Sequence, residues 1–247
     1  EDVKADDVFD LHQAYLKIGD AKAYPLTATL GRQELVYGDE RFIGKGNWNN
    51  TGRSFDALKL RWENSCGWVD GFASRVVIPD DDNFNVSNDY DNFSGIVAGT
   101  KRLIPWQETQ VYFLARNYGV KGPNAIAPGV PGSPSTQRDI FTLGTWWKSN
   151  PEALGGWDYT FEAAYQFGSV YHATLDERLN QNSCAVFASG GYTWKDAWGA
   201  PRLGLAYDFG SGDGDSTDGD VGTFENLFGT QHKPYGLMDL AGARNMH

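Results

Sequence analysis

The sequence predicts an all-β fold, an antiparallel up-and-down meander that forms the wall of a transmembrane β-barrel. Three observations predict it. About ten segments alternate apolar and polar side chains with a period of two. The connections between them alternate short and long. Trp and Tyr gather near the segment ends, as they do at the two interfaces of a membrane wall.

The clearest segment is GGWDYTFEAAYQFG, residues 155–168. Trp157, Tyr159, Phe161, Ala163, Tyr165 and Phe167 fall on one side, and Asp158, Thr160, Glu162, Ala164 and Gln166 on the other. Successive side chains of a strand point to opposite faces, so this strand has one apolar and one polar face. In a soluble sandwich the aromatic face would close a core. In a barrel it would meet lipid, and the acids would line water.

In chain order the strands are expected near 8–18, 26–37, 54–63, 67–78, 93–102, 107–117, 139–148, 156–168, 184–195 and 201–210. The segments at 8–18, 26–37 and 107–117 alternate less cleanly, which leaves their facing open to bulges. In 57–63, Leu58, Leu60 and Trp62 oppose Lys59, Arg61 and Glu63. In 141–148, Phe141, Leu143 and Trp147 oppose Thr142, Gly144 and Lys148, and in 201–210 Leu203, Leu205, Tyr207 and Phe209 oppose Arg202 and Asp208. Between the strands, GDAKAYP, NSCG, LIPW, SNPEALG and DAWGA are compact. GDERFIGKGNWNNTGR, PDDDNFNVSNDYDN, YGVKGPNAIAPGVPGSPSTQR, SVYHATLDERLNQNS and the acidic stretch after Phe209 are long. Such alternation puts tight turns at one end of a meander and long loops at the other, as membrane barrels do; a Greek-key sandwich has no reason to keep it. Seven of the nine tryptophans, Trp62, Trp68, Trp106, Trp147, Trp157, Trp194 and Trp198, lie near strand ends.

Composition is consistent with this fold. A mean hydropathy of -0.48, with no run of about 18 apolar residues, excludes helical spans but not alternating strands. The net charge of -11 argues against nucleic acid as a partner, because phosphate binding needs a basic face. Cys66 and Cys184 lack metal-ligand spacing, and His12, His172, His232 and His247 are scattered, so no zinc site and no other cofactor is expected. The alternating topology also places the two cysteines at opposite ends of the wall, too far apart for a disulfide. Glu1 opens an acidic segment without signal-peptide character, so the chain reads as mature or cut.

Residues 31–62, GRQELVYGDERFIGKGNWNNTGRSFDALKLRW, resemble the alginate export family of outer-membrane barrels. Gly31-Arg32-Gln33-Glu34-Leu35, Tyr37-Gly38-Asp39, Arg41, Ile43-Gly44, Trp48-Asn49, Gly52-Arg53 and Phe55-Asp56 carry the resemblance, with LHQAYLKIGD upstream and TFENLFGTQHKPYGLMD at 223–239. It implies a monomeric pore of roughly 16–18 strands, the size class that leaves an aqueous channel. It also implies partners in outer-membrane lipid, lipopolysaccharide and an anionic saccharide solute. The meander brings both chain ends to the loop side, so residues 1–247 are expected to form one β-barrel domain that is an internal portion of a longer barrel.

Members of the family move an acidic polysaccharide past basic pore residues, and guanidinium forks suit carboxylates. The candidate anion-selective residues are therefore Arg32, Arg53, Lys59, Arg61, Arg75, Arg116, Lys148 and Arg202. Glu34, Asp56, Glu63, Asp158, Glu162 and Asp208 are their candidate acidic partners. The competing reading is a lumenal salt-bridge ladder that stiffens the wall and selects nothing. Glu34, Asp39 and Arg41 are expected to shape the signature loop.

In DFGSGDGDSTDGD, residues 208–220, Asp213, Asp215, Asp218 and Asp220 offer hard oxygen ligands that suit calcium; a solvated acidic loop is the alternative. Asp80–Asp82 reads as a solvated turn or a cation-bridged lipopolysaccharide contact. His172, Asp176 and Ser183 flank one connection without nucleophile surroundings, so catalysis is not expected. Two other functions compete with the channel: a structural or adhesive barrel with a plugged lumen, and a soluble lectin-like sandwich.

Overall fold

The computed structural model describes residues 10–20, 23–47, 52–78, 85–119, 137–172, 177–215 and 217–230. Trp48-Asn49, Asp80–Asp82, Asp176, His232, His247 and the second half of the 223–239 block lie outside them.

The described residues form one sheet of eleven strands. In order these are β1 (Ala14–Ile18), β2 (Leu26–Gln33), β3 (Phe55–Glu63), β4 (Trp68–Ile78), β5 (Val86–Ile104), β6 (Gln107–Tyr118), β7 (Arg138–Ser149), β8 (Trp157–His172), β9 (Glu177–Thr193), β10 (Arg202–Gly210) and β11 (Asp220–Val221). β1 to β10 pair antiparallel with their chain neighbours, and β11 runs parallel to β9 beyond the end of β10. β1 and β10 are the edges of this unclosed sheet. The up-and-down, all-β expectation holds.

Because neighbouring strands run antiparallel, the strand ends that flank 19–25, 64–67, 105–106, 150–156 and 194–201 lie at one end of the sheet, and those that flank 34–54, 79–85, 119–137, 173–176 and 211–219 at the other. Two connections expected to be long are strand over half or more of their length. β5 starts at Val86 rather than near residue 93, and β8 and β9 extend to His172 and from Glu177. Their Asn, Ser and Asp residues have weak strand propensity, but the neighbouring strands offer ladder partners and the pairing wins. β1 and β2 are shorter than expected, because residues 10–13 and 34–37 leave the ladder.

The two faces differ as the alternation predicts. Leu60 is 45% exposed and Leu205 85% exposed, and Leu30, Ile96, Phe113, Leu143 and Tyr165 join them on a bare outer face. Ladder register carries that face from strand to strand: Ala28, Leu60, Gly71, Ile96, Phe113, Leu143, Tyr165 and Cys184 form one row. Cys184 is thus well inside β9 rather than at its start, while Cys66 is exposed in the 64–67 turn; both thiols are free. Trp62, Trp106, Trp147, Trp157, Trp194 and Trp198 are exposed toward the short-turn end. Trp68 differs: it turns inward beneath Arg61, with the guanidinium 4.5 Å from its ring.

The inner face is not uniformly polar, which corrects the expectation that every apolar side chain of the wall looks outward. Phe55, Phe93, Val97, Leu114 and Phe187 face in and are fully buried or nearly so. They are covered by two inserted segments, Leu35, Phe42 and Ile43 after β2, and Phe224, Leu227 and Phe228 after β11. Phe228 packs edge-on to Phe93 at 4.8 Å and to Phe55 at 5.3 Å, and Phe42 lies 5.4 Å from Phe224. Burying each such ring contributes about 1.5–3 kcal/mol. The segments also pair with each other at Ile43 and Phe228, with Gly44 donating to the Phe228 carbonyl and Phe228 to that of Phe42.

This insertion requires a curved wall. Tyr37 and Arg41 are separated by one turn, yet Tyr37 bonds Asp70 on β4 and Arg41 bonds Asp208 on β10. Six strand spacings of a flat sheet span roughly 29 Å, more than a turn and two side chains cover. At Gly168 (φ 130°) the wall backbones approach so closely that a Cβ would sit 2.0 Å from the Asp139 carbonyl oxygen.

The outer face sets a depth scale. Ala163→Arg, in the middle of the outward residues of β8, is expected to destabilise the bilayer-inserted protein by about 2–4 kcal/mol, and Trp157→Arg at the turn-side rim by about 0–1 kcal/mol. Equilibrium unfolding from lipid vesicles measures both; equal costs would contradict a lipid-facing β8.

Candidate functional site

Where the inserted segments meet the wall, charged side chains collect in three clusters. In the first, Asp70 of β4 is fully buried and takes a bidentate grip from Arg61 of β3, Nε to Oδ1 at 2.6 Å and Nη2 to Oδ2 at 2.8 Å. The Tyr37 hydroxyl donates to the same carboxylate at 2.9 Å. Burial pushes the Tyr37 hydroxyl's pKa up, and the Asp70 charge adds to it, so the phenol remains a donor.

The second cluster joins β6, β7 and the segment after β11. Arg116 grips Asp91 at 3.0 and 2.6 Å and reaches Glu225 at 3.0 Å, while Arg138 meets Glu225 at 2.7 Å. Gln166 of β8 accepts from the Glu225 amide and donates to its carbonyl, both within 2.9 Å. Buried Gln166 and Thr142 would be costly in a wall, and this insertion satisfies Gln166.

In the third, a cleft of about 250 Å³ opens between the loop and the wall, lined by Asp39, Arg41, Lys148, Thr160, Glu162 and Ser189. Arg41 pairs with Asp208 at 3.1 Å, and Lys148 with Asp39 at 2.8 Å. Glu162 is 4% exposed; its Oε1 accepts from Tyr112 at 3.0 Å, and its Oε2 has no hydrogen-bond partner among the described residues.

Arg53 fastens the inserted segments together. Its guanidinium donates to the carbonyls of Phe228, of Gly229 at 3.2 Å and of Gly44 at 3.4 Å. Burial, helped by the charge of Arg116, pushes its pKa down to about 10, which still leaves it protonated at neutral pH.

Lys59, Arg61, Arg116, Lys148 and Arg202 lie on the inner face, and all but Lys59 are ion-paired. Arg202 binds Asp158 in bidentate fashion near the β10 edge, at 2.8 and 2.6 Å. Glu63 stands 3.7 Å from Arg61, and Glu34 meets His12 at 2.9 Å and Lys45 at 3.7 Å. Arg32, Asp56 and Arg75 are corrections: their register places them on the outer face, in line with Leu30, Leu58 and Ala73 one step along the strands. Arg32 pairs there with Asp56 at 2.9 Å, and Arg75 with Asp89 at 2.5 Å. The reason is parity. Arg32 and Asp56 sit two residues beyond Leu30 and Leu58 toward the loops, and a period of two keeps them on the leucines' side.

Sequence reasoning missed Lys17, Asp70, Asp91, Arg138 and Glu225. Asp70 shares its face with Phe72, and Asp91 with Phe93, so the inner side of β4 and β5 looks mixed until the inserted segments are placed. Lys17 faces in opposite Thr29, which in turn faces Lys59 across the ladder.

In the acidic loop Asp215, Asp218 and Asp220 accept hydrogen bonds from their own chain. Asp215 accepts from the Thr217 amide and hydroxyl, which hold it below the usual carboxylate range, and Asp220 accepts from Asn180 at 3.2 Å. Among the described residues, no three acids, histidines or cysteines converge. His172 lies opposite Glu177, whereas Ser183 lies opposite Gln166, so the two are not brought together.

A family model for alginate export matches residues 1–247. The chain belongs to the alginate export family. A comparison with curated proteins found no match. The family is one of outer-membrane transport proteins rather than of enzymes. In this member of the family, the signature residues Tyr37, Asp39, Arg41 and Arg53 all bind across from the loop to the wall or to the second inserted segment.

Burial ranks the ion pairs. Asp70→Asn is expected to cost about 2–3 kcal/mol, since it breaks a charged pair at a buried carboxylate. Asp89→Asn, at the exposed Arg75 pair, should cost less than about 1 kcal/mol. Denaturant unfolding of the two variants checks the order, and a larger loss at Asp89 would contradict it.

Proposed function

We propose that this chain forms part of the wall of a bacterial outer-membrane channel that passes an alginate-like anionic polysaccharide or a related anionic saccharide. The observation that carries the reading is the pair Lys17 and Lys59. Both face the inner side at one ladder level, flanking Thr29, and neither makes an ion pair among the described residues. Almost every other inward base is held by a carboxylate of the wall or of the inserted segments. A paired base must break its existing bridge to meet a passing uronate, whereas a lysine without a carboxylate partner has no bridge to break. The paired clusters stiffen the wall and hold the inserted segments, and the free lysines present net positive charge to the solute.

The cleft of about 250 Å³ beside Arg41 and Lys148 offers the hydroxyls of Thr160 and Ser189 to the same solute, its two cations being held by Asp208 and Asp39. The solute path then runs alongside the inserted segments.

One observation favours a second reading, a structural or adhesive barrel without an open pore: the inserted segments are anchored by an apolar cluster as well as by ions. Conductance separates the two. In planar bilayers the channel reading expects anion-selective currents, and K17E/K59E is expected to move selectivity toward cations by at least several-fold while R202Q changes it little. Silent membranes support the plugged barrel, and an unchanged selectivity in K17E/K59E rejects the role given to the lysines.

A further inference from the structure

One buried carboxylate of the inner face has half of its hydrogen-bonding capacity unused. Glu162 of β8 accepts from the Tyr112 hydroxyl through Oε1, while its Oε2 has no partner among the described residues. A buried carboxylate oxygen in that condition is costly unless a donor meets it. The cations nearby are committed elsewhere, Arg41 to Asp208 and Lys148 to Asp39. Glu162 lines the cleft of about 250 Å³, so a donor can reach it from there.

The rest of the cleft selects the kind of donor. Thr160 and Ser189 face each other across the β8–β9 ladder, two residues from Glu162 and Phe187 on the same face, and line the cleft as well. Neither hydroxyl makes a hydrogen bond among the described residues. A metal ion would need more carboxylates, and among the described residues no three acids, histidines or cysteines converge. A bare anion would be repelled by Glu162. A solute with several hydroxyls can donate to Glu162 and both donate to and accept from Thr160 and Ser189. One water takes about 30 Å³ of liquid volume, so the cleft has room for several hydroxyls at once.

The wall beside the cleft is low. Across the ladder from Ser189 stands Ala206, and the next inner positions toward the turns are Gly191 and Gly204. A Cβ at Gly191 or Gly204 would lie 2.5 or 2.6 Å from the Arg202 guanidinium, which lies over both and grips Asp158. These small residues leave the turn side of the cleft clear of projecting side chains.

We propose that the cleft is a hydroxyl-recognition site for the passing saccharide, in which Glu162 Oε2 accepts from a ring hydroxyl and Thr160 and Ser189 hold its neighbours. The site rests on the saccharide reading of the lumen and adds what the lysines do not supply. Lys17 and Lys59 favour any anion, whereas Glu162 favours a solute that also carries hydroxyls over a bare anion of equal charge.

Calorimetric titration of the full chain in detergent tests this with mannotriose, trimannuronate and acetate. The two trisaccharides share most hydroxyls and differ in charge, and acetate has a carboxylate without hydroxyls. Wild type is expected to bind both trisaccharides, and E162Q to bind each at least about fivefold more weakly, as loss of a hydrogen bond to a charged acceptor implies. A purely electrostatic role predicts the opposite sign, because removal of a negative charge tightens an anion. Unchanged or tighter trisaccharide binding by E162Q therefore overturns the site, as does acetate binding that falls in parallel. T160V/S189A removes both hydroxyls with little change of shape; it should also weaken mannotriose and takes the place of E162Q if that fails to fold. Wild type that does not bind mannotriose, the result expected if water alone fills the cleft, overturns the proposal too. Mannotriose is uncharged, so its loss in E162Q upholds the site even where K17E/K59E leaves the selectivity of the pore unchanged.

Discussion

Everything in this molecule rests on one geometric constraint: side chains of a strand point alternately to two faces, and a continuous antiparallel ladder keeps those faces separate from β1 to β10. Backbone donors and acceptors of the interior strands β2 to β9 are satisfied within the ladder, so the outer face is free to be apolar. A one-residue slip anywhere would send Leu60 inward and Arg61 outward, exchanging the two solvents of the wall. The long register of β8 against β9, from Trp157–Tyr192 to His172–Glu177, makes such a slip expensive, because every pair along it would change face at once.

The inner face solves a different problem. Its apolar half, around Phe55, Phe93 and Phe187, cannot be left in water, and the segments carrying Phe42 and Phe228 cover it. Its charged half neutralises buried carboxylates such as Asp70 and Asp91 with guanidinium forks. The two halves interlock at Arg116, which grips Asp91 and also lies 4.5 Å over the Phe228 ring. The inserted segments are thus held by dispersion and charge together. That is why the plugged-barrel and channel readings share so much structure and differ only in whether a path remains beside the insertion.

The wall was legible in the residues because its signal is local. Trp157 to Phe167 and Leu203 to Phe209 announce strand and facing within a few residues, and ten strands follow with boundaries close to those read. Polar strand extensions, such as Ser87 to Asn92 in β5, escaped because they become strand only when β4 and β6 offer them partners. The candidate site was legible in part. Arg61, Arg116, Lys148 and Arg202 face inward as their alternation suggests. Arg32, Asp56 and Arg75 do not, since they are polar for the sake of the rim rather than the lumen.

By itself the sequence determined the architecture, the family and the outward face, because a period of two and a fixed loop motif are properties of neighbours along the chain. Only the tertiary structure decided which charges meet. Arg41 and Asp208, or Arg116 and Glu225, lie more than a hundred residues apart and become partners only when two remote segments enter the curled wall. Ion pairing depends on distance in space, and no spacing along the chain encodes the fold of those segments into the lumen.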